Sequence, residues 1–376
     1  MRATHEVADV LKKHWSEVER SPHINTFQLR TLGAVKRCRT ADLGGHVDAC
    51  TDCGTTRISY NSCRNRHCPK CQGKNREEWI KKREQELLPV PYFHVVFTLP
   101  DLLNPLALYQ PKHVYDSLFE AAWLTIKKFG ADPKHLGAAT GMICILHTWG
   151  QTISLHPHLH CIVPGGGLNP QQKWKTAKTK GKFLFPVKAM SRVFRAIFVE
   201  KLKEKTNVDK QLVNELFKKE WVVFAKRPFG NPQSVIEYLG RYTHKIAISN
   251  HRILDITDKT VTFSYKDYRK EASKQVMTLD AMEFIRRFSM HIMPAGFVRI
   301  RHYGILSGTS KKITIPIIKE QLPEIKYHYV NPRKVQEYNP RMCPCCKTET
   351  MVTIEILTKR GPPANNKTLS AHKGSF

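Results

Sequence analysis

The chain has 376 residues, 41% of them hydrophobic, and its 61 Lys and Arg against 32 Asp and Glu give a formal net charge of +29. This composition excludes an intrinsically disordered chain, and the length allows two or three domains. The excess charge indicates a polyanionic partner, of which nucleic acid is the usual one. We expect no membrane partner, because no apolar run of about 18 residues is present. Residues 1–15 lack an apolar signal region, so we expect a cytoplasmic protein with reduced cysteines.

The N-terminal part is predicted to combine helices with a zinc module. Apolar residues recur at helical spacing over residues 1–37. Two Cys-x2-Cys pairs follow, Cys50–Cys53 and Cys68–Cys71, separated by 14 residues. This is close to zinc-ribbon spacing, in which each pair supplies two thiolates to one tetrahedral ion. Further side chains of zinc-binding types suffice for a second site and leave one zinc or two open. They are Cys38, His46, Cys63 and His67.

Basic side chains accompany these ligands. Arg64, Arg66 and Lys70 lie among the cysteines, and a small rigid zinc fold that presents them would bind nucleic-acid phosphates. The alternative is a purely structural zinc fold with a solvated basic face. A charged connecting helix is predicted over residues 75–88, before Pro89.

A central domain is predicted from about residue 91 onward. Residues 93–99 and 141–148 are apolar strand segments, residues 113–129 have helical spacing, and residues 152–163 form the next strand after a short turn. The order β-α-β-β is typical of split β-α-β sandwiches with an antiparallel sheet. The predicted fold class is therefore α+β.

The strand at 152–163 carries histidines at every second position, His156, His158 and His160. Side chains at i and i+2 of a strand share a face, so His158 and His160 are expected side by side, which suits one divalent cation. A single histidine would favour a simpler interpretation, in which the strand has polar residues on a solvent-exposed face. Two or three together favour a metal or catalytic site.

A second candidate for chemistry is the helical stretch 234–243. Tyr238 and Tyr242 are i and i+4, so that both hydroxyls emerge from one helix face. A tyrosine pair at this spacing belongs more often to a core or its rim than to an active site. Arg241 and Lys245 strengthen the catalytic interpretation, because nearby cations favour a phenolate.

The remaining segments are basic and less diagnostic. Residues 297–303 form a short strand in which Arg299 and Arg301 are expected to contact DNA. Cys343 and Cys346 are half of a zinc knuckle without an obvious partner pair. The other predicted elements are a basic loop at 169–186, helices at 188–204, 208–218 and 280–290, a strand at 221–225, and a hairpin of 246–256 with 261–265.

These motifs together resemble one family closely, the HUH-type transposases of the rolling-circle insertion-sequence group, which have an N-terminal zinc-binding domain and two tyrosines. The resemblance covers nearly the whole chain and rests on residues 63–71 (CRNRHCPKC), 156–161 (HPHLHC) and 238–244 (YLGRYTH). It implies a helical and zinc-binding DNA-binding domain at 1–90, an HUH endonuclease domain at 91–270 with a basic insertion near 169–220, a C-terminal basic region at 271–358 and a disordered tail at 359–376.

The resemblance implies a covalent mechanism. A tyrosine hydroxyl, Tyr238 or Tyr242, attacks a phosphodiester in single-stranded DNA and leaves a 5′-phosphotyrosine and a free 3′-hydroxyl. A catalytic Mg²⁺ or Mn²⁺ held by His158 and His160 would stabilise the developing charge, and imidazole ligands favour Mn²⁺.

The sequence offers three candidates for the third ligand of that cation. Related nucleases use a Glu, a Gln or a His there. Gln151, seven residues before His158, matches the position of the acidic ligand in related replication initiators and is therefore predicted. His147 and His156 are the alternatives.

The implied partner is single-stranded DNA, at the ends of the protein's own mobile element and at the target, in the nucleoid of a prokaryotic cytoplasm. A rolling-circle replication initiator or relaxase would share the chemistry. Two further alternatives are a histidine-triad nucleotide hydrolase, with His158 as nucleophile, and a non-catalytic zinc DNA-binding protein. The zinc module and the tyrosine stretch favour the transposase, and a charge of +29 exceeds what a small nucleotide requires.

Overall fold

The computed structural model has a mixed α+β fold with antiparallel sheets, as the sequence predicted. None of the helices in the described part of the chain combines the length and apolar character that a membrane span requires. Most of the predicted tyrosine helix, most of the predicted helix at 75–88 and nearly all of the predicted tail lie outside the described residues. The structure describes residues 3–71, 86–178, 184–226, 229, 234–235, 246–268, 270–323 and 339–359.

Most elements coincide within a few residues with the predicted ones. The helices are α1 (Val7–Lys13), α2 (Trp15–Arg20), α3 (Thr26–Lys36), α4 (Asn104–Tyr109), α5 (Pro111–Ala131), α6 (Val187–Lys205), α7 (Lys210–Lys218), α8 (Ala281–Ser289) and α9 (Lys311–Gln321). The strands are β1 (Gly45–Cys50), β2 (Thr56–Tyr60), β3 (Tyr92–Thr98), β4 (Gly141–Trp149), β5 (Leu155–Pro164), β6 (Gly166–Leu168), β7 (Trp174–Thr176), β8 (Val223–Ala225), β9 (Ile253–Ile256), β10 (Thr260–Asp267), β11 (Ser273–Asp280), β12 (Ile300–Gly304) and β13 (Met351–Leu357).

The largest sheet has five antiparallel strands in the order β12-β4-β5-β3-β8. Its middle strands β4 and β5 are mostly buried, because both faces of the sheet are covered. One face packs on α5 and α6, whose apolar stripes bury Leu118, Phe119, Phe194 and Phe198. Helix α5 begins at Pro111, a residue that suits the first turn because it has no amide hydrogen to leave unpaired.

The opposite face of this sheet carries the histidines. Strand residues alternate between faces, so Ile143, Ile145 and Ile162 face away from α5 and α6 and belong to a second apolar cluster, together with buried residues of α9. Val235 is fully buried in the same cluster. His160 shares the strand parity of Ile162, so this face combines an apolar cluster with imidazoles.

A second sheet, in the order β11-β10-β9, packs with the N-terminal helices. Its β9–β10 hairpin confirms the predicted turn at 257–259, although the first strand begins at Ile253 rather than at 246. Asp280 caps α8, since its carboxylate accepts hydrogen bonds from the amides of Met282 and Glu283. The buried Phe284 of α8 then packs in one cluster with residues of α1 and α3.

A third sheet, in the order β13-β1-β2, joins segments from opposite ends of the described chain. β13 pairs antiparallel with β1 from Gly45 opposite Leu357 to Cys50 opposite Met351. The sequence assigned residues 271–358 to one C-terminal region. In the structure β12 is instead an edge strand of the five-stranded sheet and β13 completes the N-terminal sheet, because each covers an otherwise open strand edge.

Candidate metal centres

Three imidazoles converge on the central sheet. His158 and His160 lie two residues apart on β5, and His147 of β4 is the cross-strand neighbour of His158. One ring nitrogen of each lies within 4.8 Å of the others, and the Nε2 atoms of His158 and His160 are 3.2 Å apart. Two nitrogens on one cation at about 2.1 Å are separated by roughly 3.0–3.4 Å, so this spacing fits a shared metal ion.

Hydrogen bonds from outside the group orient these rings. His158 Nδ1 lies 2.7 Å from the main-chain oxygen of His156, which can only accept, so Nδ1 carries the proton and Nε2 is a free donor to a metal. His160 Nδ1 lies 3.0 Å from Nε2 of His94 in β3. A neutral His160 that offers Nε2 to a cation therefore donates to His94 through Nδ1. Two unprotonated Nε2 atoms at 3.2 Å would repel each other, and a cation bound between them would remove that repulsion.

Burial disfavours the charged forms of His158, His94 and His156. It lowers the pKa of His158 to about 4 and the pKa of His94 to about 3. It also lowers the pKa of His156. A neutral imidazole is the form that binds a metal, so at neutral pH His158 needs no deprotonation step before it coordinates.

The structure brings His147, one of the two alternatives, beside His158 and His160, and ligation by Gln151 stays a prediction. Gln151 lies in the turn after β4, where its main-chain oxygen accepts a hydrogen bond from Arg252. His147 also stacks on Trp149, with ring centroids 4.6 Å apart. His147 lies beside the histidines of β5 because the register between β4 and β5 places it opposite His158. This register cannot be predicted from the spacing of residues along one strand.

His94 was missed from the sequence. It is a single buried polar residue within the apolar strand β3, and its alternation places it on the face that His160 occupies. A single histidine within an apolar run was the sequence signal that could have identified His94, because a buried imidazole needs a hydrogen-bond partner.

The cysteines form two separate four-sulfur clusters. The first cluster contains Cys38, Cys63, Cys68 and Cys71, whose sulfur atoms lie within 4.8 Å of one another. In it, Cys71 Sγ is 3.5 Å from Cys38 Sγ and 3.6 Å from Cys63 Sγ. Four thiolates at this spacing match a closed tetrahedral zinc site.

The second cluster contains Cys50, Cys53, Cys343 and Cys346, again within 4.8 Å. The expected ribbon pairing of Cys50–Cys53 with Cys68–Cys71 is therefore wrong. The β1–β2 hairpin separates those pairs, since Cys50 lies at one end of β1 and the first cluster lies beyond its other end, about 17 Å away at the rise of a strand.

His46 and His67 belong to neither cysteine cluster, contrary to prediction. His46 Nε2 lies 3.4 Å from a carboxylate oxygen of Asp48. His67 is buried, which lowers its pKa to about 3, and its Nε2 accepts a hydrogen bond from Arg66. The cysteines supply complete four-sulfur sets, so neither imidazole is required for a tetrahedral ion.

The predicted DNA-binding cations have different environments. Arg64 is exposed. Arg66 donates to the main-chain oxygens of Phe297 and Pro294, and Lys70 pairs with Glu6.

Two further cations lie on or beside β12. Arg301 pairs with Asp116 and lies over the ring of Phe119 at 4.2 Å. Burial lowers the pKa of Arg299 to about 10. The structure therefore uses several of these side chains for internal contacts rather than leaving them on an open DNA edge, and DNA contact by Arg64 stays a prediction.

Tyr238, Arg241, Tyr242 and Lys245 lie outside the described residues. Each described flank of their segment shares an apolar cluster or a crevice with residues that neighbour one of the three histidines. Val235 is buried in the cluster that contains Ile145 and Ile162, on the histidine face of the sheet. Ile246 lines a small crevice together with Trp149, the ring on which His147 stacks.

Comparisons with known proteins agree with these features. A family described as "Putative transposase" matches residues 141–313, and the "Transposase zinc-binding domain" of the IS91 group matches residues 10–99. "Putative transposase y4qJ" of Sinorhizobium fredii is 43% identical over 96% of this chain and 98% of its own length. "Transposase for insertion sequence element IS801" of Pseudomonas savastanoi pv. phaseolicola is 27% identical over 95% of this chain and 91% of its own. No solved structure gives a significant match. The chain therefore belongs to the IS91 family of transposases, which confirms the resemblance of its motifs.

Proposed function

We propose that this transposase cuts and rejoins single-stranded DNA at the ends of a rolling-circle insertion sequence, through a covalent 5′-phosphotyrosine. The observation that carries the proposal is the convergence of His147, His158 and His160. Val235 and Ile246, on either side of the segment with Tyr238 and Tyr242, share an apolar cluster and a crevice with residues that neighbour these histidines. The name of the IS801 relative, a transposase of an insertion sequence, supports the same role. The central α+β domain then acts as an HUH-type endonuclease.

The histidine centre is suited to a divalent cation that assists this reaction. His147, His158 and His160 would hold it through neutral nitrogens, and imidazole favours Mn²⁺ over Mg²⁺. When bound, the cation supplies Lewis-acid stabilisation of charge on the phosphate, an effect worth several kcal/mol. His94 and the main-chain oxygen of His156 keep the rings oriented toward it.

The tyrosine supplies the nucleophile. In the cleavage step its hydroxyl oxygen forms a bond to phosphorus, its proton leaves, and the bond to the 3′-oxygen of the preceding nucleotide breaks. A phenol with a pKa near 10 is about one part in a thousand ionised at neutral pH, a deficit of roughly 4 kcal/mol. Arg241 and Lys245 lower that deficit by favouring the phenolate. Attack by the freed 3′-hydroxyl on a phosphotyrosine reverses the step and joins strands.

Two tyrosines allow one DNA end to be cut while the other stays attached. Tyr238→Phe and Tyr242→Phe are each expected to block complete transposition of a marked element in cells. Normal transposition by either variant would mean that a single tyrosine carries the reaction.

The proposal is tested by trapping the covalent adduct. Single-stranded oligonucleotides that tile the DNA on both sides of the coding sequence are labelled at their 3′ ends and incubated with protein and Mn²⁺. A denaturing gel is expected to show label attached to the protein, because the tyrosine keeps the 5′-phosphate of the labelled fragment. His158→Ala should abolish the adduct, whereas His113→Ala, on an exposed position of α5, should not. No adduct with any oligonucleotide would contradict the proposal.

The alternatives fit the site less well. A histidine-triad hydrolase requires His156, His158 and His160 to act together, whereas His147 rather than His156 completes the nitrogen group. A replication initiator would share the chemistry, but the matched relatives are transposases. As a transposase that acts on its own element, the protein is expected to work on DNA in the cytoplasm of its prokaryotic host.

A further inference from the structure

The second cysteine cluster joins distant parts of the chain. Cys50 ends β1 and Cys53 follows in the next turn, while Cys343 and Cys346 precede β13. We propose that these four cysteines bind a structural zinc ion that fastens β13 to the N-terminal sheet. Cys343 and Cys346 lie outside both matched segments, residues 10–99 and 141–313, so the site extends beyond the zinc-binding domain that the family match assigns.

The spacing of the sulfur atoms fits one tetrahedral ion. Cys50 Sγ is 3.5 Å from Cys346 Sγ, and Cys53 Sγ is 3.6 Å from Cys343 Sγ. Four sulfurs at about 2.3 Å from a tetrahedral zinc are separated by roughly 3.8 Å. These two short sulfur–sulfur distances each join a cysteine of one Cys-x2-Cys pair to a cysteine of the other. The same arrangement occurs when two zinc knuckles share one ion.

The two pairs have the same backbone conformation. After each second cysteine comes a residue with positive φ, Gly54 at 70° and Lys347 at 62°. Its amide donates to the main-chain oxygen of the first cysteine in each pair. The first cysteines also donate equivalently, from Cys50 N to Thr55 O at 2.9 Å and from Cys343 N to Thr348 O at 2.8 Å. Two segments of unrelated flanking sequence thus fold into matching metal-binding turns.

Hydrogen-bonding groups surround the sulfurs in an equally matched way. The Cys53 thiol donates to Thr55 Oγ1 at 3.1 Å, and Cys346 Sγ lies 3.0 Å from Thr348 Oγ1. A thiolate can only accept, so on ionisation of the sulfurs the hydroxyls become the donors. The amide of Cys345 donates to Cys343 Sγ at 3.4 Å. Donors directed at sulfur stabilise thiolates and orient them toward a metal.

β13 needs such a fastening, because apolar burial contributes little to its attachment. In this strand only Met351 is buried, and Ile354 and Ile356 are 60% and 78% exposed. Cys53 and Cys343 are 290 positions apart, so their joining closes a loop around the whole catalytic part of the chain. An ion that all four thiolates share offsets the entropy lost in that closure.

Metal content tests the proposal in the purified full-length protein. Cys343→Ser/Cys346→Ser is expected to contain one zinc fewer per chain than Cys345→Ser, measured by inductively coupled plasma mass spectrometry. Cys345 is the matched control, since it lies between two proposed ligands but is exposed and outside the cluster. Equal zinc contents in the two variants would overturn the proposal.

Thiol alkylation of the unmutated protein gives a second test that does not depend on the folding of a variant. Under reducing conditions, iodoacetamide should modify Cys345 at least tenfold faster than Cys53, although both are exposed. After removal of zinc by a chelator, Cys53 and Cys346 should become reactive, as detected by peptide mass spectrometry. Modification of Cys53 at the rate of Cys345 before chelation would refute a metal at this site. Neither result depends on DNA cleavage.

Discussion

His158 and His160 each have a hydrogen-bonding group behind the ring. Nδ1 of His158 donates to the main-chain oxygen of His156, Nδ1 of His160 lies 3.0 Å from Nε2 of His94, and the two Nε2 atoms are 3.2 Å apart. His147 adds a third nitrogen from the neighbouring strand. In the proposed metal site, groups that touch no metal would therefore decide which nitrogen each ring presents.

The third ligand can be identified by substitution. We expect His147→Ala to weaken Mn²⁺ binding by at least tenfold. A side chain that coordinates the metal directly contributes more to the affinity than the groups that only orient the ligands. Gln151→Ala should leave the affinity within about twofold, although Gln151 was the prediction from spacing. Isothermal titration of the two variants with Mn²⁺ decides between them. Loss of affinity in Gln151→Ala alone would restore Gln151 as ligand.

A buried histidine near the centre should make folding stability depend on pH. Burial lowers the pKa of His291 to about 4, whereas histidine in an unfolded chain titrates near 6.5. The unfolded state thus binds more protons between these values, so the contribution of His291 is complete above about pH 6.5 and is lost as pH falls toward 4. At pH 5 the loss is about 2 kcal/mol.

Urea unfolding at pH 7 and pH 5 measures this effect. The His291→Gln variant should lose about 2 kcal/mol less than the parent protein between the two pH values. Parallel losses in both proteins would show that His291 does not titrate as the structure indicates.

Among secondary-structure elements, the sequence predicted the central sheet well and the metal groups only in part. Local patterns predicted these elements, namely the apolar runs of β3, β4 and β5 and the helical spacing of α5. The structure has strands and a helix at these positions. His158 and His160 share a face for the same local reason.

What the sequence could not predict depends on pairing between distant segments. The position of His147 opposite His158 follows from the register of two strands. The partner pair of Cys343 and Cys346 follows from β13 joining β1, across some 290 residues. Neither strand register nor long-range pairing can be predicted from the spacing of residues along one segment. The prediction therefore grouped the cysteine pairs that are close in sequence.

Helix α5 packs on the face of the sheet opposite the histidines. The contribution of its buried side chains to stability can be tested directly. Leu118 is fully buried in α5, so Leu118→Ala should lower the free energy of unfolding by about 2–5 kcal/mol. Leu108→Ala in the preceding helix removes the same atoms from a side chain that is 44% exposed, and should cost less than about 1 kcal/mol. Urea denaturation compares the two, and equal losses would contradict the packing described.

At the scale of the whole molecule, charge rather than shape dominates the expected encounter with DNA. The net charge is +29, and pairs such as Lys70–Glu6 and Arg301–Asp116 use only part of the positive side chains internally. The remaining excess favours association with any nucleic acid, whereas in the proposed function the tyrosines and the histidines would select which strand is cut.

Binding to single-stranded DNA should therefore weaken steeply with salt. About five phosphate contacts imply a roughly 100-fold increase in Kd between 50 and 200 mM NaCl, because bound counterions are released on association. Fluorescence anisotropy with a labelled oligothymidylate measures it. An affinity that stays constant over this range would mean that phosphate contacts contribute little.

The pairing of β13 with β1 also has a consequence for biosynthesis. Strand β1 leaves the ribosome early, but the strand that covers its free edge is translated some 300 residues later. Domains otherwise complete themselves in the order of synthesis. Here the N-terminal sheet is completed only by the last described strand, so a product terminated before Cys343 would contain β1 and β2 but lack the strand that covers the edge of β1. An internal stop codon would thus leave the N-terminal sheet incomplete as well as removing the segment that follows it.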